Sequence, residues 1–381
     1  MKTFAILLSL VLLGSCATAP VRPQIEYLFN DHLFKAPAAR IHSDDVFALN
    51  NEMKYYLSTE IADQLRISGP QRGLVDALYS RRQLKVEYDS GTTRNAAQTF
   101  RERAGNCLSL VIMTAALARE LGMQVQFQSV AVDESWSRSG GLYFSIGHVN
   151  LTVGKPNSTI RVKYDNNAQI TIDFLPRGET RGQRSWPITR ETVIAMYMNN
   201  RAAETLAQGQ VNEAYWWARE AILQDPGFLS TYNTLGVIYR RNGNLPQAET
   251  ALNYALQYEA DSPKVLSNLA LVLNDQGRTA EAKLLSARVE KLQPYPPFHF
   301  FNQGEAAMQA KDFKAARDLF AKEVARDAYN HEFHFMLAAA YSQLGEFKLS
   351  HKHLAIALDF SNTRKEHDLY AVKLDRLKAY K

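Results

Sequence analysis

Cysteine is scarce in this chain: 381 residues carry only two, Cys16 and Cys107. A disulfide framework is therefore excluded, and whatever holds the fold together is apolar burial. An excess of one charge is lacking as well. Forty-four Lys and Arg against 39 Asp and Glu leave +5, scattered with no basic stripe interleaved with aromatics, so nucleic acid is not an expected partner. No apolar run reaches the roughly 20 residues that span a bilayer as a helix. Neither a glycine-rich nucleotide loop nor a calcium-loop pattern occurs, and no cofactor is expected. His331, His334, His351 and His353 cluster near one end. "HEFH" lacks the zincin spacing, so they are expected as solvated side chains and no metal site is expected. What is present is an ordinary balance, 46% hydrophobic and 22% charged, which suits a soluble globular chain with a sizeable core. The length allows two or three domains.

The first residues, "MKTFAILLSLVLLGSC", combine Lys2 with the short apolar stretch Phe4 to Leu13, as an export signal does. Leu13-Gly14-Ser15-Cys16 resembles the bacterial lipobox, in which the cysteine is lipidated and becomes the new N-terminus. An ordinary secretory signal is the alternative. Lipid on Cys16 implies a membrane anchor that does not span. Ala17 in place of Asp points toward the outer membrane, facing the periplasm. Residues 17–42, beginning "ATAPVRPQ", read as a tether. With Cys16 lipidated, Cys107 has no disulfide partner. In an oxidising compartment that raises the question of a reactive thiol.

From residue 195 onward the chain repeats. Tyr232, Leu235, Gly236 and Tyr239 are followed by Ala248, Leu252 and Ala255, the tetratricopeptide pattern. Gly236 recurs at intervals of 34 residues as Ala202, Ala270, Gly304 and Ala338, and Ala248 as Ala214, Ala282, Ala316 and Ser350. All are small because two helices cross there. Turn glycines recur at Gly209, Gly243, Gly277 and Gly345, with Lys311 in the fourth repeat. Pro226 and Pro294 follow second helices, which they cannot continue. Five repeats are expected over 195–364, the first being weakest because Arg201 replaces Leu. A capping helix is expected over 365–381. Stacked repeats form a concave groove that typically holds a peptide or protein. Its expected inner residues are Asn199, Asn233, Arg240, Lys264, Asn274, Phe298 and Phe301. They suit either an extended peptide with carboxylates or a plain solvated face.

The segment before the repeats carries the candidate chemistry. Ser43 to Arg82 reads as helical with a capped start at Ser43-Asp44-Asp45. "QLKVEYDSG" reads as a strand and turn, and a helix begins near Thr93 or Asn95 and breaks at Gly105. "CLSLVIMTAALARELG" is a helix with Cys107 at its N-terminus and Gly122 as C-cap. The partial positive charge of a helix N-terminus favours thiolate, the attacking form; a buried apolar filler is the alternative reading. "MQVQFQSVAV" and "GHVNLTV" alternate as strands, the latter with His148, Asn150 and Thr152 on one face. "TIRVKYDNNAQITIDFLP" reads as a hairpin turning at Asn166-Asn167, with Thr171 and Asp173 on one face of its second strand. Thiol, His and Asp thus follow in the order that nucleophilic catalysis uses. Trp136 falls in a Ser/Gly-rich loop and is expected to wall the cleft, cover it as a lid, or anchor the loop. Sequons at Asn150 and Asn157 are expected to stay bare.

"AAQTFRERAGNCLSLVIMTAALARELGMQVQFQSV" with "GHVNL" and "TIDF" resembles the transglutaminase-like superfamily of papain-type folds, joined here to repeats as in some exported bacterial proteins. The resemblance implies an α+β papain/transglutaminase-like domain over 43–190 ahead of the all-α solenoid. It implies Cys107 as nucleophile, His148 as general base and Asp173 as orienting acid, with Asp165 in reserve. Phe174 stands where the superfamily often has Pro. Asn106 would position the thiol. One oxyanion donor would be the Cys107 N–H. The expected chemistry is attack on an amide to give a thioester, resolved by water (peptidase or amidase) in preference to an amine (cross-linking). The alternative is a non-catalytic envelope adaptor whose two parts both bind proteins.

Overall fold

The computed structural model describes residues 25–80, 83–156, 169–174, 183–361 and 363–377. The lipobox with Cys16, Asp165, the Asn166-Asn167 turn and the Asn157 sequon lie outside them.

The expected helix over 43–82 is broken into pieces. Ser43–Val46 is a 3-10 turn, and α1 (Asn51–Tyr55) is capped by Asn50, whose side chain accepts from the Met53 N–H. A π-helical turn, Tyr56–Glu60, leads into α2 (Ala62–Ser68). Gly69 (φ 77°) then starts α3 (Pro70–Tyr79), with proline at the position that needs no N–H. β1 (Glu87–Tyr88) pairs in parallel with β2 (Ala104–Gly105) across α4 (Ala96–Glu102). Asn95 and Gln98 form a reciprocal capping box on α4, as that Asn-x-x-Gln spacing permits. α5 (Cys107–Glu120) is buried from Cys107 through Ala118, and an all-round apolar helix must be enclosed.

Four antiparallel strands enclose one side of it: β3 (Met123–Ser139), β4 (Leu142–Pro156), β5 (Gln169–Ile172) and β6 (Ser185–Ile188), in the order β5-β4-β3-β6. Val149, Leu151, Val153 and Ile172 share a core with Val111, Met113 and Leu117 of α5. β3 and β4 are longer than the sequence suggests. They run through the expected loop, pairing Trp136 with Ser145, and turn at Gly140-Gly141. Both glycines have positive φ (56° and 71°), the combination a two-residue hairpin turn requires.

The C-terminal half is an all-helical solenoid of tetratricopeptide type. First helices are α6 (Arg190–Ala207), α8 (Ser230–Arg241), α10 (Pro263–Asp275), α12 (His299–Gln309) and α14 (His331–Gln343). They alternate with α7 (Val211–Gln224), α9 (Leu245–Tyr258), α11 (Thr279–Leu292), α13 (Phe313–Arg326) and α15 (Phe347–Asp359). α16 (Arg364–Leu377) closes the stack, burying Tyr370 against Phe335. The small positions are small for a measurable reason. A Cβ on Gly236 would stand 2.6 Å from Leu252, and one on Gly304 2.6 Å from Phe320. Ser350 even bonds across the crossing, its Oγ donating to the Ala338 carbonyl at 2.8 Å. Gly209, Gly243, Gly277 and Gly345 all have φ between 75° and 82°, and Lys311 adopts 62° in their place.

Residues 25–38 do not behave as the expected tether; they are docked on the first two repeats. Ile25, Leu28 and Phe34 are buried, and Phe34 stacks on Tyr215 at 3.9 Å. Tyr239 donates to the Leu28 carbonyl at 2.7 Å, and Asp31 takes bonds from Tyr215 (2.6 Å) and Arg219 (3.0 Å).

Candidate functional site

Cys107 is the first residue of α5, and the turn that places it there is tight. A Cβ on Gly105 would come within 2.7 Å of Ser109. Asn106 is fully engaged in capping: its Oδ1 accepts from the Ser109 N–H (2.9 Å) and hydroxyl (2.8 Å), and its Nδ2 donates to Thr93 (2.9 Å). Asn106 thereby fixes the start of the helix that begins with Cys107. Cys107 is buried, 7% exposed as a residue, and its thiol donates to the Gly147 carbonyl at 3.8 Å.

Sheet register brings the other two groups in. Ile172 lies opposite Leu151, so the next residue, Asp173, arrives beside Asn150 and within reach of His148 on the same face. His148 Nε2 lies 2.8 Å from Asp173 Oδ1, while Asn150 Nδ2 donates to Oδ2 at 2.9 Å. Asn150 is the functional neighbour that sequence reasoning missed; its place on the His148 face was the signal. It is buried, which removes it as a glycosylation site. His148 Nδ1 is buried without a hydrogen-bond partner, so it is the ring nitrogen that Asp173 leaves over. Burial disfavours the imidazolium, but hydrogen bonds and charge from Asp173 and Cys107 outweigh it and raise His148 to about 9. A thiol, an imidazole and a carboxylate held in series can form a thiolate nucleophile with a proton donor beside it. Among the described residues, no group of three or more His, Cys, Asp and Glu could hold a metal.

Trp136 does not lie over the thiol. It packs against the apolar cluster of the fourth and fifth repeats that contains Phe298, Phe301 and Phe333, so both the wall and the lid expectations are replaced by an anchor, made to the repeats. Those phenylalanines also differ from expectation: Phe298 and Phe301 are 1% and 0% exposed, covered and not open groove, with the Arg138 guanidinium over both rings. Of the other groove candidates, Arg240 is paired with Asp275 (2.6 Å) and Asn233 accepts from Asn268 (2.8 Å). Lys264 lines a cavity of about 440 Å³ together with Trp136, Asn274 is exposed, and the Asn199 amide oxygen is buried without a partner. His334 is buried, contrary to the solvated expectation, its Nδ1 2.9 Å from that of His353. Arg201, the departure in the first repeat, pairs with Glu204 at 3.0 Å. Glu204 in turn accepts the Thr93 N–H at 2.8 Å, so this repeat is altered where it joins the N-terminal region.

A tetratricopeptide-repeat family model matches residues 263–283, which is α10 with the start of α11. No curated protein matches the chain. Among solved structures, PilF of Pseudomonas aeruginosa is 19% identical, covering 48% of this chain and 91% of its own, with a TM-score of 0.27. A thermophilic repeat protein of Thermus thermophilus, TTC0263, is 14% identical over 47% and 98%, with 0.30. Yeast Tom70 is 15% identical over 49% and 40%, with 0.34. The assignment of the C-terminal half rests on the matched family model and on the helices themselves. Among the described residues, no helix is long and apolar enough to cross a membrane.

Proposed function

We propose that this chain is a lipid-anchored envelope protein, tethered through Cys16, whose repeats hold a protein or peptide partner beside a thiol site built from Cys107, His148 and Asp173. The repeat half of this reading is the better supported. The family match lies wholly within the repeats, and proteins of this architecture act through their concave surfaces. On that ground a scaffold, in which both parts serve protein–protein interaction, has more behind it than catalysis.

One observation favours chemistry: the 2.8 Å bond from His148 Nε2 to Asp173, which leaves Nδ1 for the thiol. In that reading the domain is a transglutaminase-like hydrolase. His148 holds the proton of Cys107, the thiolate attacks an amide carbonyl, and the imidazolium returns the proton to the leaving amine. Water then resolves the thioester. Asp173 holds the ring, and Asn150 holds Asp173.

The test is iodoacetamide alkylation of Cys107 against pH, on protein lacking residues 1–16, with His148→Ala alongside. Catalytic design predicts alkylation at neutral pH that slows at least about tenfold in the variant. A thiol that reacts only after unfolding, in both proteins alike, leaves the scaffold.

A further inference from the structure

The tip of the β3–β4 hairpin lies against the first helices of the solenoid. A Cβ on Gly140 would collide with the Ala207 carbonyl oxygen at the end of α6. The Gly141 carbonyl accepts from Arg241 of α8 at 3.4 Å. Arg138 is forked between Glu305 of α12 (3.2 Å) and Glu332 of α14 (2.8 Å). Its guanidinium sits 4.6 Å from the centre of the Phe301 ring and 5.3 Å from that of Phe298. Asn330 donates to the Trp136 carbonyl at 3.3 Å.

These are the parts of a peptide site. Two carboxylates meet a planar cation, aromatic faces support it, and a side-chain amide binds the backbone of a strand. We propose that the inner face of the fourth and fifth repeats is an arginine-reading site for an extended segment with an aromatic residue two positions before an arginine. In the chain by itself, Trp136-Ser137-Arg138 fills that site as an internal stand-in. The proposal rests on the reading that the repeats hold a peptide partner, and it names the chemistry of that partner.

An internal occupant competes at an effective concentration set by its short connection, of millimolar order, so a partner needs either high affinity or a second contact. Displacement has a consequence for the thiol. β4 runs from this tip to Gly147, whose carbonyl holds Cys107, and to His148. The pairing of β3 with β4 changes register between Val130 and Ser135, beside His148. A released hairpin therefore bends next to the thiol, and partner binding and thiol exposure are coupled.

The probe is a fluorescent peptide of residues 134–143, titrated against the full mature chain and its Arg138→Ala variant. It should bind Arg138→Ala at least about tenfold more tightly than wild type, because the stand-in has lost its anchor. Adding Glu305→Gln and Glu332→Gln should remove that gain. Gly140→Ala, which forces the hairpin tip away from α6, should reproduce it. Cys107 alkylation should quicken several-fold in Arg138→Ala; an unchanged rate overturns the coupling. A probe with alanine for the arginine that binds equally well overturns the arginine site and leaves the repeats as a peptide-binding surface. Failure of both probes on every variant overturns the peptide-binding reading too.

Discussion

His148 and His353 are both histidines drawn out of solvent, one in the sheet domain and one in the fifth repeat, and they are driven in opposite directions. His148 faces a carboxylate and a thiol and is raised to about 9 despite its burial. His353 is lowered to about 4, by burial first and then by His334 and Lys352. His334 is lowered as well, again chiefly by burial. Burial alone opposes the charged form in both regions, so the partner decides. The sheet domain supplies an acid to hold a proton in place, whereas the repeat pairs two neutral rings as packing. Only the first arrangement is of use to proton transfer.

The comparison can be broken from either side. The largest effect is expected from Gly236→Leu, which forces a side chain against Leu252 and should cost about 3 kcal/mol, read as an earlier denaturant midpoint of the repeats. Next comes pH. An unfolded histidine titrates near 6.5, so the fifth repeat should lose stability as pH falls from there toward about 4, where the unfolded state takes up protons first. The His148 contribution runs the other way, full below about 6.5 and lost as pH rises through about 9. Thermal melts across pH 4–10, with His353→Gln and His148→Gln, separate the two. Asn106→Ala removes the cap of α5 and should cost about 1 kcal/mol, with slower Cys107 alkylation as its second readout. A gain of similar size closes the series: Lys311→Gly relieves a left-handed φ of 62° and should stabilise the fourth repeat by about 1 kcal/mol.

The two regions also differ in how much of them the sequence discloses. The repeats could be read because each crossing demands a small residue locally and the demand recurs every 34 residues. Cys107, His148 and Asp173 could be placed on their elements and in order, since capping and alternation are local signals. Their meeting depends on strand register, which no local pattern fixes. What stayed hidden is contact over long separations. Arg138 with Glu332 and Leu28 with Tyr239 are joined across the two regions, and a Ser/Gly-rich stretch or a proline-bearing leader looks like linker until its partner surface exists. Ile25, Leu28 and Phe34 were visible as apolar residues in that leader, with nothing in the sequence to say what they covered.

The most direct measurement is the ¹⁵N NMR titration of the His148 ring in the mature protein, with Asp173→Asn for comparison. The account predicts a midpoint near 9, an Nε2 that keeps its proton on Asp173 throughout, and a fall in the midpoint when Asp173 is replaced. A midpoint near 6.5, unmoved by Asp173→Asn, would contradict it and leave Cys107 a buried apolar residue beside a structural histidine.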